Sequence, residues 1–183
     1  RLDALVVSHR DKAHSGGMDA IREGLPVTRF LSSMLDEGGE NCVNGQHWEW
    51  EGVRFTILHP ELTDYTLPTK KTNNLSCVLR VEAAGQSVLL TGDIEAKDER
   101  ALIARLPQAL SSTVLVVPHH GGKGSSTPEF ITAVGAADAV FSAGYRNAFG
   151  HPRPEIVQRY ADSRLWRTDQ HGAIHIELSA QPG

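Results

Sequence analysis

Three short polar clusters, each entered directly from a run of apolar residues, constrain this chain more than any other feature. Ala4-Leu5-Val6-Val7 runs into Ser8-His9-Arg10-Asp11-Lys12-Ala13-His14-Ser15-Gly16-Gly17. Val88-Leu89-Leu90 runs into Thr91-Gly92-Asp93, and Val114-Leu115-Val116-Val117 into Pro118-His119-His120-Gly121-Gly122. Apolar runs this short, bounded by Gly and Pro, have the length of buried strands rather than of helices. A chain that steps repeatedly from a buried strand into a polar turn folds around a sheet. Its chemistry then gathers at the strand ends, where a rigid frame holds the loops.

The remaining segments supply the rest of such a fold. Strands are expected over Leu2 to Val7 and Val27 to Leu31, with a short helix over Gly17 to Glu23 between them. Ser8 to Gly17, Asp36 to Gln46 and Glu61 to Thr72 read as loops. Trp48 to Trp50 and Val53 to Leu58 form a hairpin around Glu51-Gly52, and Leu75 to Val81 and Ser87 to Leu90 a second one around Ala84-Gly85-Gln86. Ile94 to Leu106 has helical periodicity and stops at Pro107. Then come a strand over Thr113 to Val117, a helix over Thr127 to Val134 with Pro128 in its first turn, a strand over Ala139 to Ser142 and a helix over Pro154 to Tyr160. Late strands are expected at Leu165 to Arg167 and Ala173 to Leu178. Hairpins first and strand–helix–strand units later predict an α/β (α+β) fold with a mixed sheet covered by helices. The 183 residues fit one domain spanning 1–183.

Composition narrows the function. Apolar residues make up 40% and charged residues 22%, which excludes a disordered chain. No apolar run approaches the length of a membrane span. The formal charge is −4, which argues against a generic basic nucleic-acid binder but not against a nucleic-acid enzyme that works through metal ions. Two cysteines without a CxxC exclude a zinc knuckle. Nine histidines are unusual, and they are clustered.

Imidazole and carboxylate mixed at short spacing suit zinc, manganese or iron. His9 and Asp11, two apart, can converge on one ion, and His14 can reach a second across the turn. Asp93 at a strand end can bridge two ions; as a bland alternative it caps the helix that follows. His119-His120 are either ligands or a polar turn. His47, His171 and His175 sit in hairpin contexts and read as structural. Trp48, Trp50 and Trp166 read as sheet-face or core aromatics, not as a base-stacking platform.

The ordered set Ser8-His9-x-Asp11-x-x-His14-x-Gly16-Gly17, Thr91-Gly92-Asp93 and His119-His120-Gly121 resembles the metallo-β-lactamase superfamily. More narrowly, it is similar to the metallo-β-lactamase-like domain of ComEC-type DNA-uptake channels. Asp11 stands where most hydrolases of the superfamily have His. Asn73-Asn74-x-Ser76, and Ser142-Ala143-Gly144-Tyr145-Arg146-Asn147 with Gly150-His151-Pro152, match that branch. The resemblance implies an αββα sandwich. It also implies that this stretch lacks the family's opening strands, which would leave sheet edges exposed. A second departure concerns Ala13, which occupies the place of an Asp that normally ligates the second metal. The second site is therefore expected to be weakened.

By that resemblance, the chain is expected to be a metal-dependent nuclease using up to two Mn2+ or Zn2+ ions. It would degrade the non-transported DNA strand during natural transformation. His9, Asp11, His14, Asp93 and His119 are the expected metal ligands, with Asp93, His120 and His151 catalytic; which of His119 and His120 is the ligand stays open. Lys123, Ser125 and Ser126, ahead of a helix, and Arg146 and Asn147 are the expected substrate contacts, against an N-cap loop as the alternative for the serines. Single-stranded DNA, the membrane channel of the same protein and other DNA-uptake proteins are the implied partners. The implied location is the periplasmic side of the inner membrane. Cys42 and Cys77 either remain thiols or join across the sheet, the latter requiring an oxidising compartment. Another hydrolase of the same fold, or a non-catalytic module of the channel, is the competing reading.

Overall fold

The computed structural model describes residues 1–67 and 71–179. Pro68 and Lys70, in the loop expected from Glu61 to Thr72, lie outside the described residues. Leu2–Val7 forms β1, and Val27–Ser32 forms β2 parallel to it, with Leu2 opposite Val27 and Val7 opposite Ser32. The crossover between them carries α1 (Lys12–Ser15) and α2 (Met18–Gly24). The expected Ser8 to Gly17 loop thus contains a helical turn. A two-residue β3 (Glu40–Asn41) adds to the far side of β2, inside the expected Asp36 to Gln46 loop. Arg29 on β2 forks onto Glu40 at 2.8 and 2.7 Å. Among the described residues β1 pairs only with β2, so its other edge is open.

A second, seven-stranded sheet carries the site. β4 (His47–Trp50), β5 (Val53–His59), β6 (Val78–Ala83) and β7 (Gln86–Leu90) form an antiparallel meander. Its turns at Glu51-Gly52 and Ala84-Gly85 have positive φ at both residues. That is the two-residue hairpin geometry whose twist matches the flanking strands. β8 (Val114–Val116), β9 (Asp138–Phe141) and β10 (Arg164–Arg167) then add in parallel. The connections run through α3 (Ala96–Arg105), α4 (Pro128–Val134) and α5 (Pro154–Val157). The sheet is mixed, as expected from hairpins followed by strand–helix units.

The last expected strand does not form. α6 (Thr168–His171) follows β10, and the alternating Ala173 to Leu178 stretch has no regular structure. It pairs with no described strand, and most of its side chains are exposed. The strand expected from Leu75 starts later, because Asn73–Leu75 is a 3-10 turn.

Three apolar clusters define four layers. Met18 of α2 packs on Val7 and Phe30 outside the small sheet. Leu31, Ile57, Leu79 and the two cysteines fill the space between the sheets. Leu89, Leu102, Leu115, Phe130, Phe141 and Ile156 join the large sheet to its helices. Alternation along each strand does this work: Phe30 faces α2, and Leu31 faces the other sheet. The tryptophans are sheet-face residues. Trp48 stacks on Phe55 at 5.2 Å under the Arg29 guanidinium, and Trp166 donates to the Asp138 carboxylate at 2.7 Å.

Candidate metal centre

The ends of β1, β7 and β8 converge on one buried carboxylate. β1 delivers His9, which is fully buried. β7 ends in Thr91, whose hydroxyl donates to Val116 O on β8 at 2.8 Å and ties the two strands together. Gly92 follows at φ +55, and a Cβ there would lie 2.7 Å from Ser76 Cβ and 3.1 Å from Ser8 Cβ. Only glycine suits both the left-handed backbone and the close approach. Gly92→Ala is expected to destabilise the fold by about 2–5 kcal/mol and to displace Asp93, read by urea unfolding and metal titration. Unchanged stability and metal affinity would show that the turn tolerates a side chain.

Asp93 turns its two oxygens to different histidines. Oδ2 lies 3.6 Å from His9 Nε2, and Oδ1 lies 3.2 Å from His14 Nε2 and 3.5 Å from His120 Nε2. His14 and His120 approach each other at 3.1 Å between their Nε2 atoms. Asp11, at the exposed rim, puts Oδ2 3.9 Å from His9 Nε2 and accepts from the Thr72 hydroxyl at 3.0 Å. The helix-cap alternative for Asp93 is set aside, because Glu95 occupies the N-cap of α3.

The donor set fits a divalent cation. Ligand atoms of His9, His14 and Asp93 all lie within 4.8 Å of one another. Among the described residues, His9 Nε2, Asp93 Oδ1 and His119 Nδ1 are buried with no hydrogen bond. Orphaned buried polar atoms cost about 1–3 kcal/mol each, a cost that a shared cation removes. His120 Nδ1 sits 2.7 Å from Ser142 O. A carbonyl only accepts, so Nδ1 carries the proton and the Nε2 lone pair faces the cluster. Ser8 Oγ contacts Nδ1 of both His9 (3.0 Å) and His14 (3.2 Å). Ser76 Oγ contacts His9 Nδ1 at 3.2 Å and accepts the Asp93 backbone N–H at 3.0 Å.

Burial and the neighbouring His14 push the His9 imidazole down to about 4, against the opposing pull of Asp93 and Asp11. Burial raises the Asp93 carboxyl, but the close His14 imidazole and the other surrounding imidazoles outweigh it and hold it below the usual range. Below pH 6.5 the unfolded chain binds a proton that folded His9 refuses until about pH 4. Metal-free protein should therefore be most stable above pH 6.5 and lose about 3 kcal/mol as the pH falls to about 4. Urea unfolding in EDTA reads this. A His9→Gln variant with the same pH slope would refute the assignment to His9.

Of the two open ligand candidates, His120 lies beside His14 and Asp93, while His119 sets its ring edge-on to His151 at 5.6 Å. Both residues are left-handed (φ 53 and 55), so the turn swings their rings to different neighbours. Ser125 and Ser126 are buried, not at the substrate surface. Ser125 donates to Pro118 O at 2.9 Å, Ser126 Oγ accepts from Tyr160, and the Glu99 carboxylate takes the backbone N–H groups of Ser126 and Thr127. Thr127 caps α4, so the N-cap alternative holds for this loop. Asn147 is committed to its own loop, donating to Gly144 O and His151 O. Lys123 is exposed and pairs with Glu155 at 3.4 Å, and Arg146 is exposed over Tyr145. His151 borders the cleft beside His119 and His120.

Sequence reasoning did not single out Ser8, Ser76 and Ser142 as site residues. Ser8 precedes the first histidine, and Ser76 lies in the Asn73-Asn74-x-Ser76 match, which was the available signal. Ser142 acts through its backbone carbonyl, which no residue type reveals.

No family model matches the chain. Four layers with a His/Asp cluster at the strand ends define a metallo-β-lactamase-fold domain. YhfI of Bacillus subtilis, a metallo-β-lactamase fold protein, superposes with a TM-score of 0.54 at 14% identity, over 91% of this chain and 74% of YhfI. In sequence the chain is homologous to a segment of ComEC-type competence proteins. It is 38% identical to competence protein ComA of Neisseria gonorrhoeae over 182 residues, 97% of this chain and 26% of that protein. It is 33% identical to ComE operon protein 3 of Bacillus subtilis over 202 residues, 100% of this chain and 25% of that protein. The chain thus spans about a quarter of these curated relatives.

Proposed function

We propose that this domain is a metal-dependent phosphodiesterase that hydrolyses single-stranded DNA and, within a DNA-uptake protein, degrades the strand that is not taken up. One observation carries the reading: three histidines surround one buried carboxylate, and both His9 Nε2 and Asp93 Oδ1 are buried without a hydrogen bond. His9 and Asp11 would hold one Mn2+ or Zn2+ ion, and His14 and His120 a second, with Asp93 between them. A bound divalent cation supplies a Lewis acid and activates water near neutral pH. Ala13, beside His120 on the cleft wall, offers the second ion no donor.

His151 has its imidazole held below its ordinary pKa, first by burial and then by His119 and His120. That favours its uncharged form, whose ring nitrogens can orient a substrate oxygen in the cleft. Lys12 lines the cleft and supplies positive charge toward phosphate, while Arg10 on the same wall pairs with Asp36 and Glu37. The Cys42–Cys77 disulfide supports an oxidising, periplasmic setting. The channel portion of the same protein and other DNA-uptake proteins would be its partners there. Ala13 is the observation favouring a second reading, a binding module without turnover.

Manganese-stimulated cleavage of labelled single-stranded DNA tests the reading. The chain should cleave slowly, and Asp93→Asn should lower the rate at least about 100-fold. Cleavage insensitive to Asp93→Asn, or absent even from an Ala13→Asp chain at equal metal loading, would remove the nuclease assignment.

A further inference from the structure

Two exposed rings stand on one loop whose Phe149 lines the cleft, and the chemistry above uses neither. Tyr145 is 74% exposed and Phe149 73%, on the same short loop after β9. That loop is not slack. The Asn147 amide donates to Gly144 O at 3.0 Å and His151 O at 2.6 Å, and its Oδ1 accepts His151 N at 3.0 Å. Backbone bonds from Asn147 N to Gly144 O and from Gly150 N to Asn147 O close the turn. Arg146 is held left-handed at φ 50, with its guanidinium 5.2 Å over the Tyr145 ring.

Phe149 stacks against His151 at 5.9 Å and lines the same cleft as Asp11, Ala13 and His120. Single exposed apolar residues need no explanation, but two large rings on one pinned turn beside a catalytic cleft do. Apart from Arg146 over Tyr145 and His151 against Phe149, most of each ring stays in water, and the turn spends its hydrogen bonds keeping them in place. A flat ring held in water suits an unpaired base, whose π-face is free; duplex bases spend those faces on each other. A guanidinium beside such a ring, with Lys12 lining the same cleft as Phe149, suits the phosphates between bases.

We infer that Phe149 and Tyr145, with Arg146, form a stacking platform that takes unpaired bases and feeds single-stranded DNA to the metal centre. This rests on the nuclease reading, and it makes the platform the element that selects single strands over duplex.

Fluorescence anisotropy in EDTA, where no cleavage occurs, tests it on the chain as it is. The probes are a labelled oligothymidylate of about twelve residues and an abasic strand of equal length, within the usual site size of single-strand binders. The oligothymidylate should bind more tightly than the abasic strand. Phe149→Ala and Tyr145→Ala should each weaken it about tenfold while leaving the abasic strand unchanged. Phe149→Trp and Tyr145→Trp should restore it, which a merely structural role would not produce; thermal melts confirm that each variant is folded.

Equal affinity of the parent for both strands, no binding of either, or alanine variants that bind like the parent would each overturn the platform. The last of these would assign the rings to a protein contact. Cleavage by the Ala13→Asp chain is scored separately. Cleavage without loss of binding in the alanine variants sinks the platform alone. Base-dependent binding without cleavage sinks the nuclease reading and leaves a single-strand binding module.

Discussion

Ala13→Asp is expected to raise the rate of manganese-dependent cleavage of single-stranded DNA by about 100-fold or more. Ala13 lies within α1, between Asp11 and His14, and lines the cleft beside His120. The His14, His120 and Asp93 side of the cluster has two imidazoles and one carboxylate oxygen, so a further carboxylate adds both a ligand and a charge to it. A cation that clamps a phosphodiester oxygen is worth several kcal/mol in the transition state, and each 1.36 kcal/mol is tenfold in rate. Metal analysis should show the bound ion count rising from about one to about two in step with the rate. A second ion bound without faster cleavage would mean that the silent step lies elsewhere. Neither change would mean that position 13 does not face the second site.

Reducing the Cys42–Cys77 disulfide should produce the largest loss of stability available from a single bond. The two sulfurs close a loop of sequence separation 35, which in the chain-entropy model is worth about 4 kcal/mol. For a domain of this size that lowers the melting temperature by about 10 °C. Both cysteines are buried between the sheets: Cys42 directly follows β3, and Cys77 directly precedes β6. The bond therefore staples the small sheet to the large one. It also reaches the metal centre, because Cys77 N donates to Ser8 O at 2.9 Å and the adjacent Ser76 holds His9 and the Asp93 backbone. Loosening such supporting hydrogen bonds typically costs 10–100-fold in metal affinity, on the order expected here. Calorimetry and zinc titration with and without reductant, with the Cys42→Ser/Cys77→Ser double variant beside them, read both effects. Equal melting temperatures would show that the sheets stay joined by packing alone.

Local pattern made most of the elements legible. The two hairpins were visible because period-two alternation and a turn pair sit within a dozen residues of each other, and the structure keeps Glu51-Gly52 and Ala84-Gly85 as the turns. Ala173 to Leu178 has the same alternation and forms no strand, because alternation does not supply a neighbour. His9, His14 and Asp93 were legible as a site because each follows a buried run, and strand ends of one sheet lie close together.

The choice between His119 and His120 was not legible. Two left-handed residues in succession rotate neighbouring rings apart, and the partners that decide, Ser142 O and His151, come from later in the chain. The loop of Ser126 and Thr127 is held by Glu99, 27 and 28 residues from the two amides it takes up, and nothing local announces that pairing. Ser76 meets His9 across 67 residues for the same reason.

The sequence by itself determined which residue types stand at the ends of which strands, and with them the class of chemistry, because strand periodicity and ligand identity are local properties. Only the tertiary structure decided which imidazoles face Asp93 and which hydroxyls hold them, and that Tyr145 and Phe149 stand in water on the loop whose Phe149 lines the cleft. Those outcomes depend on packing and hydrogen bonds between segments far apart in the chain.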